Sequence, residues 1–312
     1  MRLSCPSSPI IRQSYSRPRT ETMRIVELLE LTGDRLQQAG IEEFQSEARL
    51  LLQESLGLTR SQLYLRLKEE VSPTAAAACE GVIRRRLQRE PLAYILGKRE
   101  FWSLDFQVGP GVLVPRPETE FLLTCVLDEI QGNKRPADLV LDLCTGSGVI
   151  ATVLARELPC RVMAIDLSAE ALVYAEKNIR QHGVHSRVQL VHGDLFAPLA
   201  PLALVDVLVS NPPYVDENEL PRLAPEVRCW EPRQALAAGS KGMDCLVRIV
   251  DTAWQYLRPG GLLCCEIGAD QEGDVLELFA SQEQYTEATV RYDWADRPRV
   301  VMASRRPVPT AG

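Results

Sequence analysis

The chain is poor in histidine, has no C-x-x-C pair, and lacks any apolar run near the roughly 20 residues that span a bilayer. Its three histidines, His182, His185 and His192, do not make a credible zinc set, and the first two fall in a helix-ending loop where surface imidazoles are common. The nine cysteines are scattered and odd in number, which fits reduced thiols in a core rather than a disulfide framework. Adjacent Cys264 and Cys265 would point to opposite faces of a strand. Acids outnumber bases, 42 to 35. A formal net charge of −7 argues against a broad phosphate-binding surface, so neither direct nucleic-acid binding nor a membrane partner is expected. No internal repeat occurs. What remains is a globular composition, 46% hydrophobic and 25% charged over 312 residues, enough for one large domain and a small one.

Residues 1–22 stand apart, with Arg2, Arg12, Arg17, Arg19, five serines and no acid before Glu21. That composition is transit-peptide-like, yet Met23 opens the first well-patterned segment, and 1–22 is read as a disordered extension outside the functional fold. Residues 23–92 repeat apolar positions at helical spacing (Ile25, Leu28, Leu29, Leu36; then Ala48, Leu51, Leu52), and Ser72-Pro73 starts a helix carrying Cys79, Ile83 and Leu87. A bundle this short is too small to be an enzyme alone and suits a docking module. Residues 93–116 read as a linker and β-hairpin. Phe101, Leu104, Phe106 and Val108 alternate, Gly109-Pro110-Gly111 is the expected turn, and Val112-Leu113-Val114 the return strand.

Residues 117–306 form the large domain, followed by a tail at 307–312. Pro117 opens a helix with Glu118 and Glu120 in its first turn, where the helix dipole favours acids. Short apolar runs at Leu139–Leu143, Arg161–Asp166, Val188–His192, Val205–Ser210 and Gly261–Ile267 are mostly separated by helix-length segments, predicting a parallel sheet covered on both faces. The last two strand candidates, Glu287–Tyr292 and Arg299–Ser304, lie too close for a helical crossover and should pair antiparallel. The expected fold is α/β, a seven-stranded, mostly parallel Rossmann-like sheet of the class I S-adenosylmethionine-dependent methyltransferase type, with a small N-terminal helical domain.

Asp142-Leu143-Cys144-Thr145-Gly146-Ser147-Gly148 follows the first of these strands, and a helix starts at Val149. Glycines let the backbone approach a ligand at the head of that helix. The dinucleotide fingerprint would place a third glycine at Ala151, and an acid just before the loop is foreign to it. At Asp142 a carboxylate can hold a cationic amino-acid moiety, directly or through water, whereas a pyrophosphate would be repelled. Asp166 ends the second strand twenty residues after Gly146, the spacing of a ribose-binding acid. Asp194 ends the third and can receive an adenine amino group, with Leu195 lying on the ring. Each acid alone is equally a helix cap; three in order, with the glycine loop after the first strand, point to S-adenosyl-L-methionine. A nicotinamide dinucleotide is the alternative for the glycine loop alone.

The fourth strand ends in Asn211-Pro212-Pro213-Tyr214. Proline fixes φ and carries no N–H, so a stiff corner can aim carbonyls outward beside an amide side chain and an aromatic ring. An ordinary Pro-rich turn is the bland reading. The functional one is a grip on a planar NH2 group, whose two hydrogens would be accepted by Asn211 and the Pro212 carbonyl while Tyr214 packs on the flat amide.

Asn211-Pro212-Pro213-Tyr214 resembles the motif of methyltransferases that modify planar amino or amide nitrogens. The flanking segments Pro91–Gly97, Arg99–Trp102, Val112–Glu120 and Glu231–Leu236 narrow this to a resemblance to the release factor glutamine N5-methyltransferase (PrmC/HemK) family, covering Met23 to about Ser304. The resemblance implies a helical domain that docks the substrate protein. It also implies transfer of a methyl group from S-adenosyl-L-methionine to the glutamine of the Gly-Gly-Gln motif in peptide chain release factors. Catalytic and substrate-binding residues would be Asn211, Pro212, Pro213 and Tyr214. Cofactor contacts would come from Cys144, Thr145, Gly146, Ser147, Gly148, Asp166, Leu195 and Asn211. Cys144 departs from the usual glycine and would be strained if its φ is positive.

A ribosomal-protein glutamine methyltransferase shares the Asn-Pro-Pro-Tyr loop and the cysteine, and an N6-adenine DNA methyltransferase shares the loop; both stay as alternatives. A silent cofactor-binding interaction protein is a third, disfavoured by the intact Asn211. A cytoplasmic monomer is expected. Phe101 and Trp102 read as hairpin core rather than as a lid over the cofactor. Arg116 and Glu118 either line a substrate entrance or serve as strand-exit pair and helix start. Trp230-Glu231-Pro232 shapes the neighbouring loop.

Overall fold

The computed structural model describes residues 23–132 and 137–307; the extension read at 1–22 and the tail beyond 307 lie outside the described residues. The chain forms two compact units. One runs to Gly97 and includes Ala224–Trp230; the other comprises Lys98–Leu223 and Glu231 onward.

The first unit is helical: α1 (Ile25–Gln38), α2 (Phe44–Leu56), α3 (Arg60–Leu65), α4 (Pro73–Leu87) and α5 (Leu92–Leu96). A two-residue ribbon of β1 (Met23–Arg24) and β2 (Glu70–Val71) pairs antiparallel. Local chemistry marks the helix ends. Ser72 Oγ accepts from Ala75 N at 3.2 Å with Pro73 in the first turn, Thr59 and Gln62 close a reciprocal capping box, and α2 stops at left-handed Gly57. Ile25, Leu28, Leu52, Cys79 and Ile83 bury together as the core of this unit. The unit continues through α5 to Gly97, five residues beyond the boundary expected at 92.

The second unit opens with a hairpin, β3 (Lys98–Phe101) and β4 (Leu104–Gln107), then α6 (Pro117–Gly132), β5 (Leu139–Leu143), α7 (Val149–Glu157), β6 (Arg161–Asp166), α8 (Ala169–Gln181), β7 (Val188–His192) and β8 (Val205–Ser210). The next helix, α9 (Pro225–Trp230), belongs to the helical unit. There Glu226 takes Arg86 at 2.9 Å and Arg89 at 2.8 Å. The second unit resumes with α10 (Asp244–Ala253), β9 (Leu257–Glu266), α11 (Glu272–Ala280), β10 (Thr289–Tyr292) and β11 (Pro298–Ser304).

Seven strands form one sheet in the order β10-β11-β9-β8-β5-β6-β7, with β11 running against the rest. The side-chain period of a strand divides its residues between two cores. Val140, Val162, Val207 and Cys264 pack with α6, α7 and α8; Leu141, Leu143, Leu208 and Cys265 pack with α10 and α11. Cys264 and Cys265 thus face opposite sides, as their adjacency predicts. Among the described residues seven cysteines are free thiols, whereas Cys229 is disulfide-bonded, against the expectation of reduced thiols.

The hairpin differs from its expected form. Its turn is Trp102-Ser103, both at positive φ (54° and 57°), and residues 112–114 form no strand. Two left-handed residues make the tight turn whose twist matches paired strands. Neither is the Asn or Gly that usually signals it; hydrogen bonds hold it instead, Trp102 N to Glu120 at 2.8 Å and Ser103 N to Glu100 at 2.8 Å. Phe101 is buried edge-on against Phe106, with centroids 5.9 Å apart, and the Trp102 indole donates to Glu157 at 3.2 Å. Both serve the hairpin and its packing.

Candidate active site

Ligands of open parallel sheets bind beyond the carboxyl ends of the strands, where neighbouring crossovers diverge. Here the ends of β5, β6, β7 and β8 surround a cavity of about 310 Å³, lined among others by Cys144, Thr145, Gly146, Ser147, Asp166, Asp194, Leu195, Asn211 and Pro213. Residues far apart in sequence thus share one wall.

The glycine loop is held from behind. Asp142 is fully buried and absent from the wall. One of its oxygens accepts from Thr145 Oγ1 at 2.6 Å and from Ala151 N at 3.2 Å, and the other has no partner. Burial pushes this carboxyl up to about 7. Asp142, expected to hold a cationic group directly or through water, here anchors the loop and the first turn of α7 and forms no part of the wall that a direct contact needs. Gly148 also lies off the wall. It caps α7 at φ 77°, and a Cβ there would meet Ala175 at 3.1 Å.

Asp166 is on the wall, with one oxygen accepting from Gly146 N and the other from Ser168 N, both at 2.8 Å. Burial raises its pKa, and each oxygen keeps a free lone pair for hydroxyl donors. Asp194 pairs with Arg248 at 2.8 Å beside Leu195, which is buried and left-handed at φ 48°. Cys144 has φ 59°, so the strain that its side chain implies is present. Its thiol contacts that of Cys245 on the same wall, and this contact together with burial raises its pKa.

At the end of β8, Asn211 and Pro213 reach the wall, while Pro212 is buried and Tyr214 stands behind. The Asn211 Nδ2 group donates to Thr119 Oγ1 at 2.9 Å, Thr119 Oγ1 donates to Glu266 Oε2 at 2.8 Å, and the Tyr214 hydroxyl donates to Glu266 Oε1 at 3.1 Å. Glu266 is fully buried, and its desolvation lifts the carboxyl to about 7. Burial likewise raises the Tyr214 pKa. The Tyr214 carbonyl accepts from Gln271 Nε2 at 3.0 Å and passes so close to Gly242 that a Cβ there would lie 2.1 Å from the oxygen. Glu231, also buried, accepts from Arg116 at 2.6 Å and from Val114 N at 3.1 Å. It ties the hairpin exit to the loop after the proline corner. Glu266, Gln271 and Gly242 belong to no motif in the sequence. The one signal for Glu266 is an acid closing an otherwise apolar strand; Thr119 stood inside a recognised motif without an assigned role.

Two family models match, the PrmC N-terminal domain over residues 27–97 and the methyltransferase small domain over residues 117–227. The release factor glutamine methyltransferase of Geobacter sulfurreducens is 42% identical over 261 residues, covering 83% of this chain and 89% of that protein. That of Moorella thermoacetica is 43% identical over 273 residues, covering 87% and 95%. Among solved structures, a methyltransferase from Pyrococcus furiosus aligns with a TM-score of 0.50 at 19% identity, covering 67% of this chain and 91% of that one. A Thermus thermophilus 16S rRNA methyltransferase in complex with AdoMet and guanosine aligns with a TM-score of 0.50 at 20% identity, covering 67% and 50%. At such identities the structural likeness speaks for the fold.

Proposed function

The chain belongs to the release factor glutamine methyltransferase family, and from that premise we propose that Asn211 and Pro212 hold the substrate carboxamide in the cavity at the ends of β5 to β8. The enzyme methylates the side-chain nitrogen (N5) of the glutamine in the Gly-Gly-Gln motif of peptide chain release factors, with S-adenosyl-L-methionine as methyl donor. The cavity wall fits that donor. It combines backbone N–H groups at a helix head, the Asp166 carboxylate with spare lone pairs for ribose hydroxyls, and the apolar faces of Ile165, Leu167 and Leu195 for a flat base. Cys144 to Ser147, Asp166, Asp194 and Leu195 would hold it. Asp142 and Gly148 shape the loop from behind. When bound, S-adenosyl-L-methionine supplies a methyl group activated by its sulfonium.

A carboxamide nitrogen is a weak nucleophile because its lone pair is delocalised into the carbonyl, so the protein must chiefly orient and polarise. Asn211 Oδ1 and the Pro212 carbonyl accept the two amide hydrogens, fix the direction of the nitrogen and stabilise positive charge growing on it. The stiffness of the Pro-Pro corner keeps both acceptors in place without reorganisation. No histidine or lysine base is needed: the N–H becomes acidic only as the nitrogen gains its new bond, leaving the donor sulfur a neutral thioether, and the proton then passes to solvent water. The observation that carries this reading is the placing of Asn211 and the glycine loop on one cavity wall.

We assign docking of the release factor to the helical unit. The reaction is taken to occur in the cytoplasm, on a monomer that needs neither nucleic acid nor a membrane. Among the described residues, no helix is long and apolar enough to cross a bilayer. Incubation with S-adenosyl-L-methionine and a Gly-Gly-Gln release-factor fragment should add 14 mass units, about one methyl group, to the glutamine. Asn211→Ala should abolish this while S-adenosylhomocysteine binding persists, weakened. Wild-type turnover in that variant, or label on DNA rather than on the fragment, would refute the assignment.

A further inference from the structure

A carboxamide has two nearly isosteric ends, and nothing in Asn211 itself decides whether oxygen or nitrogen faces the cavity. The decision comes from Thr119, which lines the cavity beside Asn211, and from Glu266 behind it. We propose that Thr119 and Glu266 are positioning residues that lock the Asn211 carboxamide with Oδ1 toward the substrate, and so make the cavity select an amide over a carboxylate. This rests on the reading of Asn211 as the acceptor for the substrate N–H.

The polarity of the chain runs one way. Burial holds the Glu266 carboxyl at about 7, so above that pH it is ionised, and an ionised carboxylate only accepts. Glu266 takes the Tyr214 hydroxyl hydrogen on Oε1 at 3.1 Å and the Thr119 hydroxyl hydrogen on Oε2 at 2.8 Å. With its single proton committed, Thr119 meets Asn211 as a pure acceptor, and at 2.9 Å the partner must be Nδ2. Flipping Asn211 would set its Oδ1 against the Thr119 oxygen and turn the Nδ2 donor toward the cavity. Thr119 and Glu266 are both buried, so water cannot repair the mismatch, and such unpaired contacts are costly.

The consequence is a specificity filter. Oδ1 suits a glutamine NH2, but a glutamate carboxylate of the same shape would meet it lone pair to lone pair. Sites built to hydrogen-bond a particular group reject analogues lacking it far more strongly than apolar pockets do. Tyr214, through the other oxygen of Glu266, couples the far side of the proline corner to the same carboxylate.

The test compares wild type with Thr119→Val, Thr119→Ser and Glu266→Gln, full-length. Binding of Gly-Gly-Gln and Gly-Gly-Glu fragments is measured by titration calorimetry with S-adenosylhomocysteine present, alongside kcat and KM. Thr119→Val should lower kcat by about 10²-fold, the usual cost of losing one preorganised polar contact. It should also narrow the Gln-over-Glu binding preference at least tenfold, leaving S-adenosylhomocysteine affinity unchanged. Thr119→Ser, which keeps the hydroxyl, should restore both. Glu266→Gln, which can face Thr119 with either end, should weaken the preference even if the valine variant does not fold. An unchanged Gln-over-Glu preference in the folded variants would overturn the inference. So would equal losses in the serine and valine forms, or loss of S-adenosylhomocysteine binding alongside turnover, since each marks a packing role. Failure of the wild type itself to methylate the Gly-Gly-Gln fragment would sink the functional reading instead.

Discussion

Substituting Gly242 by alanine tests how tightly the proline corner is braced. Gly242 has φ +66°, and a Cβ there would lie 2.1 Å from the Tyr214 carbonyl oxygen, 2.7 Å from its carbon and 2.9 Å from Gln271 Nε2. Two costs follow. Left-handed backbone costs a residue with a side chain about 1–2 kcal/mol. Overpacking against backbone costs a further 1–3 kcal/mol or so if Tyr214 holds its place. Gly183 separates the two, since it has φ +71° in the same unit with nothing within 4 Å of its Cβ. Gly183→Ala should therefore show only the backbone cost and keep full turnover. Gly242→Ala has two ways out. A rigid corner makes it less stable than the control by about 1–3 kcal/mol. A yielding corner recovers that stability but moves Tyr214 and its neighbours, and a displacement on the order of 1 Å at a reacting group costs about 10²-fold in rate. Urea unfolding midpoints and single-turnover methylation of the Gly-Gly-Gln fragment read the two channels. A Gly242→Ala protein equal to Gly183→Ala in both would show that the close approach at Tyr214 does not constrain the corner.

Asp166→Ala should chiefly raise the dissociation constant for S-adenosylhomocysteine, because it removes the proposed ribose acceptor together with the anchors on Gly146 N and Ser168 N; an unchanged constant in equilibrium dialysis would contradict that role. Glu266 has a folded pKa of about 7 against 4.5 unfolded, so between those values the native state holds a proton that the unfolded state has released, and stability falls as pH rises through that window. At about 1.4 kcal/mol per pKa unit, that contribution reaches about 3 kcal/mol, with Arg299 opposing the shift and Glu118 reinforcing it. Glu266→Gln should therefore gain on wild type by up to that amount between pH 4.5 and 8 in denaturant titrations, and a pH-independent difference would show that the carboxyl does not titrate there. Cys144→Gly should relieve φ 59° and raise stability by at most about 1 kcal/mol, after the extra freedom of glycine in the unfolded chain is deducted; a loss of stability in calorimetry would mean that the Cys245 contact outweighs the strain.

Much of the site's scaffold was legible along the chain. Strands at 139–143, 161–166, 188–192 and 205–210 fall where apolar runs and turn residues put them, because side-chain period and helix capping depend on near neighbours. Glycines at the head of α7 and acids at the strand ends follow from the same local signals. Asp142 shows where this stops. Its position at the end of β5 was readable, but whether it faced the cavity or the loop depended on the pleat and on what packed behind it. The hairpin turn at Trp102-Ser103 was hidden for a related reason, since its unfavourable residues are held by Glu100 and Glu120 rather than by glycine or asparagine.

From the amino-acid order alone came the layered architecture, the donor loop and the proline corner, all governed by contacts a few residues apart. Three-dimensional packing alone decided that Thr119, 147 positions from Glu266, shares that carboxylate with Tyr214, and that Gly242 makes room for the Tyr214 backbone. Buried hydrogen bonds are directional, and in a low-dielectric interior they tolerate no mismatch. Which lone pair faces a substrate is therefore settled only when distant segments meet.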